Sequence, residues 1–261
     1  MVKRVTFGLF LLLLAACQPT PSTPTPIGTV TRPDLVSLIN WERSPLAVVF
    51  RAEVATSDTT SFERRSDIAD CTIYGDNRVV FTTPTGIGKG LSWQRVSDEA
   101  IRLMVEELMM NYQIYNQSAG VDAIPDEQRP DQAETVILVV NGQAHRADAL
   151  GGWPEDFYQR VAERCRAVAD APSELLPVDA YVSAQVVPYD DTRPTITWDA
   201  VSGVDLSALT EERRWVSGAA MQALWTAQRE SGADVQFQQG DAIYRVAVEV
   251  PGVTRYSPPP P

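Results

Sequence analysis

Along residues 46–54 apolar and polar positions alternate, with Val48, Phe50, Ala52 and Val54 set against Val49, Arg51 and Glu53. A period of two is that of a half-buried β-strand. Residues 71–82 read as a hairpin about Asp76-Asn77, two residue types that tolerate the positive φ of a two-residue turn. That turn would set Tyr74 opposite Val79 and Ile73 opposite Val80. The period then changes. Ile101, Val105, Leu108 and Tyr112 recur at helical spacing behind Ser97 as N-cap, with Asp98 and Glu99 in the first turn. Residues 135–140 and 143–147 flank Asn141-Gly142, the strongest short hairpin signal. Pro154 opens a second helix whose apolar stripe is Phe157, Val161, Cys165 and Val168.

After Pro172 and Pro177 the pattern predicts strands over 180–187 and 195–199 and a helix over 217–230, stopped by Gly232. A last hairpin follows, 235–238 and 242–250, about Gln239-Gly240. Its final strand alternates cleanly, Ala242, Tyr244, Val246, Val248 and Val250 against Ile243, Arg245, Ala247 and Glu249. Adjacent hairpins with few helices predict an α+β fold, with antiparallel sheets built from hairpins and helices packed on one face. The order of strands, helix and hairpin occurs twice. This divides the body into a first α+β region, 34–172, and a second, 173–254, and admits two similar halves.

The ends of the chain are different in kind. Lys3 and Arg4 precede the apolar run FGLFLLLL at 7–14, and Leu14-Ala15-Ala16-Cys17 closes it with small residues. A positive start, a short apolar core and a small-residue cleavage site describe a signal peptide, here 1–16. The run is about 12 residues, against roughly 20 for a membrane-spanning helix. The four closing residues resemble the lipobox of bacterial lipoproteins. That resemblance implies cleavage before Cys17 and acylation of its thiol, so that acyl chains tether the protein to a membrane. Residues 18–26 alternate proline with Thr, Ser or Gln, which favours extended polyproline II and buries nothing, so 17–33 reads as a lipidated cysteine on a stalk. Residues 255–261 form a proline-rich tail.

The formal charge is −12, and −14 once Lys3 and Arg4 are removed. No basic patch able to track phosphates is expected, so nucleic acid is excluded as a partner. Acidity also disfavours adhesion to anionic lipid, leaving the acyl chains as the anchor. Besides Cys17 the chain has only Cys71 and Cys165. In an exported protein such a pair ordinarily forms a disulfide; two separate small core residues are the other reading.

His145 is the only histidine and must serve any histidine-based catalytic site. It is expected opposite Leu138 on a strand, in a structural or surface role. Gly86-Ile-Gly-Lys-Gly90 has the wrong spacing for a phosphate loop and reads as a mobile loop between hairpin and helix. Asp122, Asp126, Glu127, Asp131 and Glu134 cluster in one loop without EF-hand spacing and read as a solvated face. No metal site and no cofactor are expected. Of six tryptophans, Trp198 and Trp225 read as core residues, while Trp153, behind Gly151-Gly152, is the candidate partner contact.

The stretch 73–81 (IYGDNRVVF), the 136–147 hairpin, Trp153-Pro154 and the closing 237–251 together resemble a group of uncharacterised secreted bacterial lipoproteins. Those usually carry glycine where Asn77 stands here. The resemblance implies fold and location and carries no activity. The sequence thus favours a membrane-anchored extracytoplasmic lipoprotein, lipid-attached to the cell membrane or outer membrane. Its body is expected to be a non-enzymatic binding or structural module of the cell envelope with a protein or glycan partner. The alternative is an envelope hydrolase using carboxylate chemistry.

Overall fold

Turn chemistry sets the register of the first sheet. In the computed structural model, which describes residues 38–255 apart from 57–60, 86–87, 126–127, 199–202 and 232–233, Asn77 has φ +69° while Asp76 does not enter the left-handed region. One positive φ rather than two makes the loop a type I turn closed by a left-handed residue, one residue longer than a two-residue turn. Ile73 therefore faces Val79, and Thr72 faces Val80, one step from the register expected from sequence. Gly75 is required in this turn, because a Cβ there would stand 2.0 Å from the carbonyl oxygen of Glu42. The predicted signal peptide, Cys17, the stalk and residues 256–261 lie outside the described residues.

The first sheet has seven strands in the order β6-β5-β1-β2-β3-β4-β7, with every pairing antiparallel. They are β1 Val48–Thr56, β2 Cys71–Tyr74, β3 Arg78–Thr85, β4 Gly88–Arg95, β5 Gln132–Val140, β6 Gln143–Asp148 and β7 Ser173–Glu174. The β5–β6 turn is as expected: Asn141 and Gly142 have φ +52° and +70°, Val140 pairs with Gln143, and His145 faces Leu138. Of the segment 86–90 read as a mobile loop, residues 86–87 lie outside the described residues, and the rest corrects that expectation. Gly88, Lys89 and Gly90 pair with Thr85, Pro84 and Thr83 in an eight-residue strand. Its intrinsic strand propensity is poor; pairing with β3 and the apolar Leu91 and Trp93 decide its conformation.

Helices α1 (Asp98–Met110) and α2 (Phe157–Arg166) cover one face of this sheet. Ser97 caps α1, its hydroxyl accepting from Ala100 N at 3.1 Å. Helix α2 begins three residues after Pro154, which instead closes a turn by accepting from Phe157 N. Ile101, Met104, Val105 and Leu108 of α1 and Phe157, Val161 and Cys165 of α2 pack on Phe50, Ile73, Val79, Phe81, Val136 and Leu138. Asn77 also bolts the β2–β3 turn to α1. Its amide donates to Val96 O and to Asp98 Oδ1 (2.7 Å), while Arg43 donates to both Asp98 oxygens at 2.7 Å. Those hydrogen bonds, from Arg43 first and Asn77 second, hold the Asp98 carboxyl well below the usual carboxylate range. A glycine at 77 would keep the backbone angle and lose this link.

The opposite face of the seven-stranded sheet, with Tyr74, Val80 and Leu91, belongs to a second core. It packs on helix α3 (Ala219–Ser231) and on a five-stranded sheet of order β10-β8-β12-β11-β9. These strands are β8 Asp179–Val186, β9 Thr195–Thr197, β10 Arg214–Ser217, β11 Gln236–Gln239 and β12 Ala242–Glu249; only β9 and β11 run parallel. The fold is α+β with two mostly antiparallel sheets. Both sheets receive a hairpin after a helix, yet β5–β6 docks through its first strand (on β1) and β11–β12 through its second (on β8). The described residues belong to one compact unit. The sheets are further tied by residues 61–68: Ser66 Oγ accepts from Val248 N (2.8 Å) where β11 has ended, and Ile68 bridges Thr254. Among the described residues no helix is long and apolar enough to cross a membrane.

Candidate functional site

Side chains alternate across a strand, and in the five-stranded sheet one set points into the second core: Val182, Ala184, Phe237, Tyr244, Val246 and Val248. The other set, with Ser183, Gln236, Arg245, Ala247 and Glu249, lies on the opposite face, and all of these but Arg245 are buried there. After β8 the chain crosses back over that face. Val187 N still donates to Ile243 O at 2.9 Å, and residues 188–194 then run to β9 between two prolines. Asp190 shapes the crossing: its Oδ1 accepts from Thr192 N (3.0 Å) and Thr192 Oγ (2.6 Å), an Asx turn. Its Oδ2 accepts from Arg193 Nε at 2.8 Å. The Thr192 bonds first, and Arg193 after them, hold this carboxyl below its ordinary range.

A buried amide fastens the loop from below. Gln236, 1% exposed, donates to Asp190 O (2.6 Å) and Thr195 Oγ (2.8 Å) and accepts from Asp190 N (3.2 Å). Between loop and sheet lies an open cleft of about 700 Å³, lined among others by Tyr189, Asp191, Arg193 and Arg245. That volume is within the range of small-molecule sites. Tyr189 is 63% exposed. Asp190 occupies only the Nε edge of Arg193. The Nη1 of the same guanidinium is buried without a hydrogen-bond acceptor among the described residues, and its ion-pair partner Asp234 stands 3.8 Å away, beyond hydrogen-bond reach. The cleft thus sets guanidinium and carboxylate groups of opposite charge beside an exposed tyrosine.

On the same face, Glu249 is buried, with Oε1 3.6 Å from Arg213. Burial pushes its carboxyl up, and Arg213 and Arg65 pull part of the way back. At pH 7 Glu249→Gln should therefore melt above the parent, since a neutral amide removes the cost of desolvating a charge. A raised folded pKa makes the parent lose stability as pH rises from the unfolded carboxyl value, about 4.3, through the folded one. Thermal melts at pH 4 and pH 7 check this: the gap should close at the lower pH, and a parent melting higher at both would refute it.

The residues singled out from sequence lie elsewhere. Cys71, the first residue of β2, is disulfide-bonded to Cys165 in the last turn of α2, with both fully buried. Trp153 is half-buried against the first core, its ring 5.2 Å from that of Phe157 and 6.2 Å from that of Tyr158. The glycines before it serve a turn in which Asp148 accepts from Leu150 N and Gly151 N. Trp198 and Trp225 are core residues, as expected. His145 Nε2 lies 2.8 Å from Ile114 O, with its ring edge-on to Tyr115. Of the acidic loop, Asp126 and Glu127 lie outside the described residues, Asp131 is exposed, and Glu134 is partly buried. Burial and then the charge of Asp70 push the Glu134 carboxyl up. Asp70 itself accepts from the Tyr158 hydroxyl at 2.5 Å, and burial followed by that bond keeps the phenol protonated. Among the described residues no group of three or more His, Cys, Asp or Glu is disposed to hold a metal ion.

Sequence reasoning did not find the cleft. Its visible signal was an Asp-x-Thr turn between two prolines. Gln236 and Arg245, which complete it, arrive more than forty residues later, and only strand pairing brings them beneath the loop. Compared with protein families, with curated proteins and with solved structures, the chain matches none.

Proposed function

We propose that this protein is an exported lipoprotein of the bacterial cell envelope, tethered by acyl chains on Cys17, whose α+β body is a non-enzymatic binding module. The observation that carries the location is the buried Cys71–Cys165 disulfide, a bond that persists in oxidising compartments outside the cytoplasm. It agrees with the basic, apolar and small-residue segments that end at Cys17 and with the proline-rich stretch after it. Two or more acyl chains hold firmly where one holds marginally, each buried methylene adding about 0.8 kcal/mol. The binding role is supported by the cleft over the five-stranded sheet, a preformed concavity with polar groups converging on it. The partner it would meet in the envelope is a protein or a glycan.

Cys17→Ser tests the tether. The variant should move from the membrane to the soluble fraction, and mass spectrometry of the parent should find an N-terminus at residue 17 carrying acyl mass. An unmodified thiol at 17, or unchanged partitioning of the variant, would overturn the reading.

A further inference from the structure

We propose that Asn141 is a site of spontaneous modification, where deamidation to isoaspartate unfastens the entering chain at Asn40 from the β5–β6 hairpin. The proposal is independent of the envelope reading. Asn141-Gly142 is the exposed two-residue turn of that hairpin, and it is doubly tied to the entering chain. Asn141 N donates to Asn40 O at 2.7 Å, and Asn141 Oδ1 accepts from Asn40 N at 2.8 Å. Deamidation begins when the next main-chain nitrogen attacks the side-chain carbonyl carbon. Here that nitrogen belongs to a glycine, so no side chain crowds the approach, and a Cβ added there would meet nothing within 4 Å. Gly142 N makes no hydrogen bond to the described residues, since ladder pairing resumes at Gln143. The Asn40 N–H already stands at Oδ1, where negative charge develops as the carbon becomes tetrahedral.

The step balances without a redox partner. Gly142 N gives its proton to water and bonds Asn141 Cγ; the Cγ–Nδ2 bond breaks and ammonia leaves. Water then opens the five-membered ring. Opening at Cγ gives aspartate, which keeps an acceptor for Asn40 N. Opening at the main-chain carbonyl gives isoaspartate, with one extra methylene in the backbone. That methylene lengthens a turn whose two-residue length sets Val140 opposite Gln143, so the hairpin tip and its bonds to Asn40 are lost together. Ile39 O still accepts from Arg102 Nε and Trp41 Nε1 still donates to Gly75 O, which confines the release to Asn40 and the tip. The other four asparagines are set differently. Tyr112 N, after Asn111, donates to Glu107 O, and Gln117 N, after Asn116, donates to Ile114 O. The Asn77 amide is bonded to Val96 O and Asp98 Oδ1, and Arg78 N beyond it donates to Asp76 Oδ1. Asn40 precedes the bulky, buried Trp41.

Peptide mass mapping of the full-length chain in detergent, aged folded at pH 6 and at pH 8.5, tests the proposal. The mass gain of amide-to-acid exchange should appear at Asn141 at least tenfold faster than at Asn40, Asn77, Asn111 or Asn116. It should be faster at pH 8.5, because the attacking nitrogen must lose its proton, and fragmentation should identify isoaspartate in the product. Hydrogen exchange of the aged chain should be at least tenfold faster than in the fresh chain at Asn40 and the hairpin tip, and unchanged in α1. Gly142→Ala should slow the gain at least fivefold by crowding the nucleophile. Since φ is +70° at that position, alanine there is strained, and the comparison among the parent's own asparagines decides the matter if the variant does not fold. Three outcomes would overturn the proposal: a gain at Asn141 no faster than at the other asparagines, a folded-state rate more than a hundredfold below that in urea, or unchanged exchange at Asn40 once isoaspartate has formed. The second would mean that the turn protects Asn141.

Discussion

Removing the Cys71–Cys165 bond should destabilise the protein by about 3–5 kcal/mol, the cost expected when a native disulfide closes a long loop. The bond closes a loop of 94 residues, for which chain entropy alone allows up to about 4.7 kcal/mol. Position adds to length. Strand β2 is the central strand of the seven, and α2 lies over it, so the bond staples the cover to the middle of the sheet. Both cysteines are fully buried, and the Cys71→Ala/Cys165→Ala protein also leaves sulfur-sized voids in a close-packed region. For a chain of this size each kcal/mol is worth about 2–4 °C in melting temperature, so a drop on the order of 10 °C is expected. Calorimetry of the double variant beside the oxidised parent measures it; a shift under 2 °C would show that the bond adds nothing to the packing.

The second large effect concerns Arg255. Although it borders the proline-rich tail, its side chain is 3% exposed. Its Nε stands 2.6 Å from Glu53 Oε2 and its Nη1 3.8 Å from Asp67 Oδ2, while its Nη2 donates to Val54 O at 2.9 Å. Asp67 in turn belongs to the 61–68 segment that completes the edge of β12, so one guanidinium joins β1, that segment and the end of the chain. Truncating one partner of a buried pair leaves the other charge uncompensated, at a cost of about 3–5 kcal/mol. Arg255→Met should lose that much in chemical denaturation at pH 7. Arg255→Met/Glu53→Met should recover most of it, since a buried pair replaced by apolar side chains of similar volume is often neutral. The pH dependence has a definite sign. Burial already pushes the Asp67 carboxyl up, and the charge of Arg255 is the foremost influence pulling it back. Without Arg255 the folded pKa rises further, the folded state keeps its proton longer, and the deficit of the single variant should shrink as pH falls from 7 toward 4. A deficit that is the same at both pH values would place the cost in packing instead of charge.

Much of the fold was legible from local pattern. Ser97 with Asp98 and Glu99 marked the start of α1, and Asn141-Gly142 marked a two-residue turn with its register, down to His145 opposite Leu138. Trp198 and Trp225 were readable as core because their neighbours alternate or recur at the period of their element. The misreadings share a cause. At Asp76-Asn77 two turns of different length fit the same residues, and only the sheet on either side selects the one with a single positive φ. Strand β4 carries two glycines and a lysine, and β10 is four residues long; neither has a strand pattern without its partners. The partial burial of Trp153 against Phe157 and Tyr158 was likewise not legible from the glycines that precede it.

The amino-acid order by itself determined the class of fold, the helix stripes, the tight Asn-Gly hairpin and the pair of cysteines available to each other, because caps, turns and periodicity act over a few residues. It also carries the leader and lipobox pattern on which the proposed acylation rests. Tertiary structure alone decided that the two sheets share a core across Tyr74, Val80 and Leu91, that Arg255 is a buried ion-pair member, and that Gln236 and Arg245 lie beneath residues 187–193. Those outcomes depend on pairings between residues tens to hundreds of positions apart, whose energies are summed only when the chain is closed on itself.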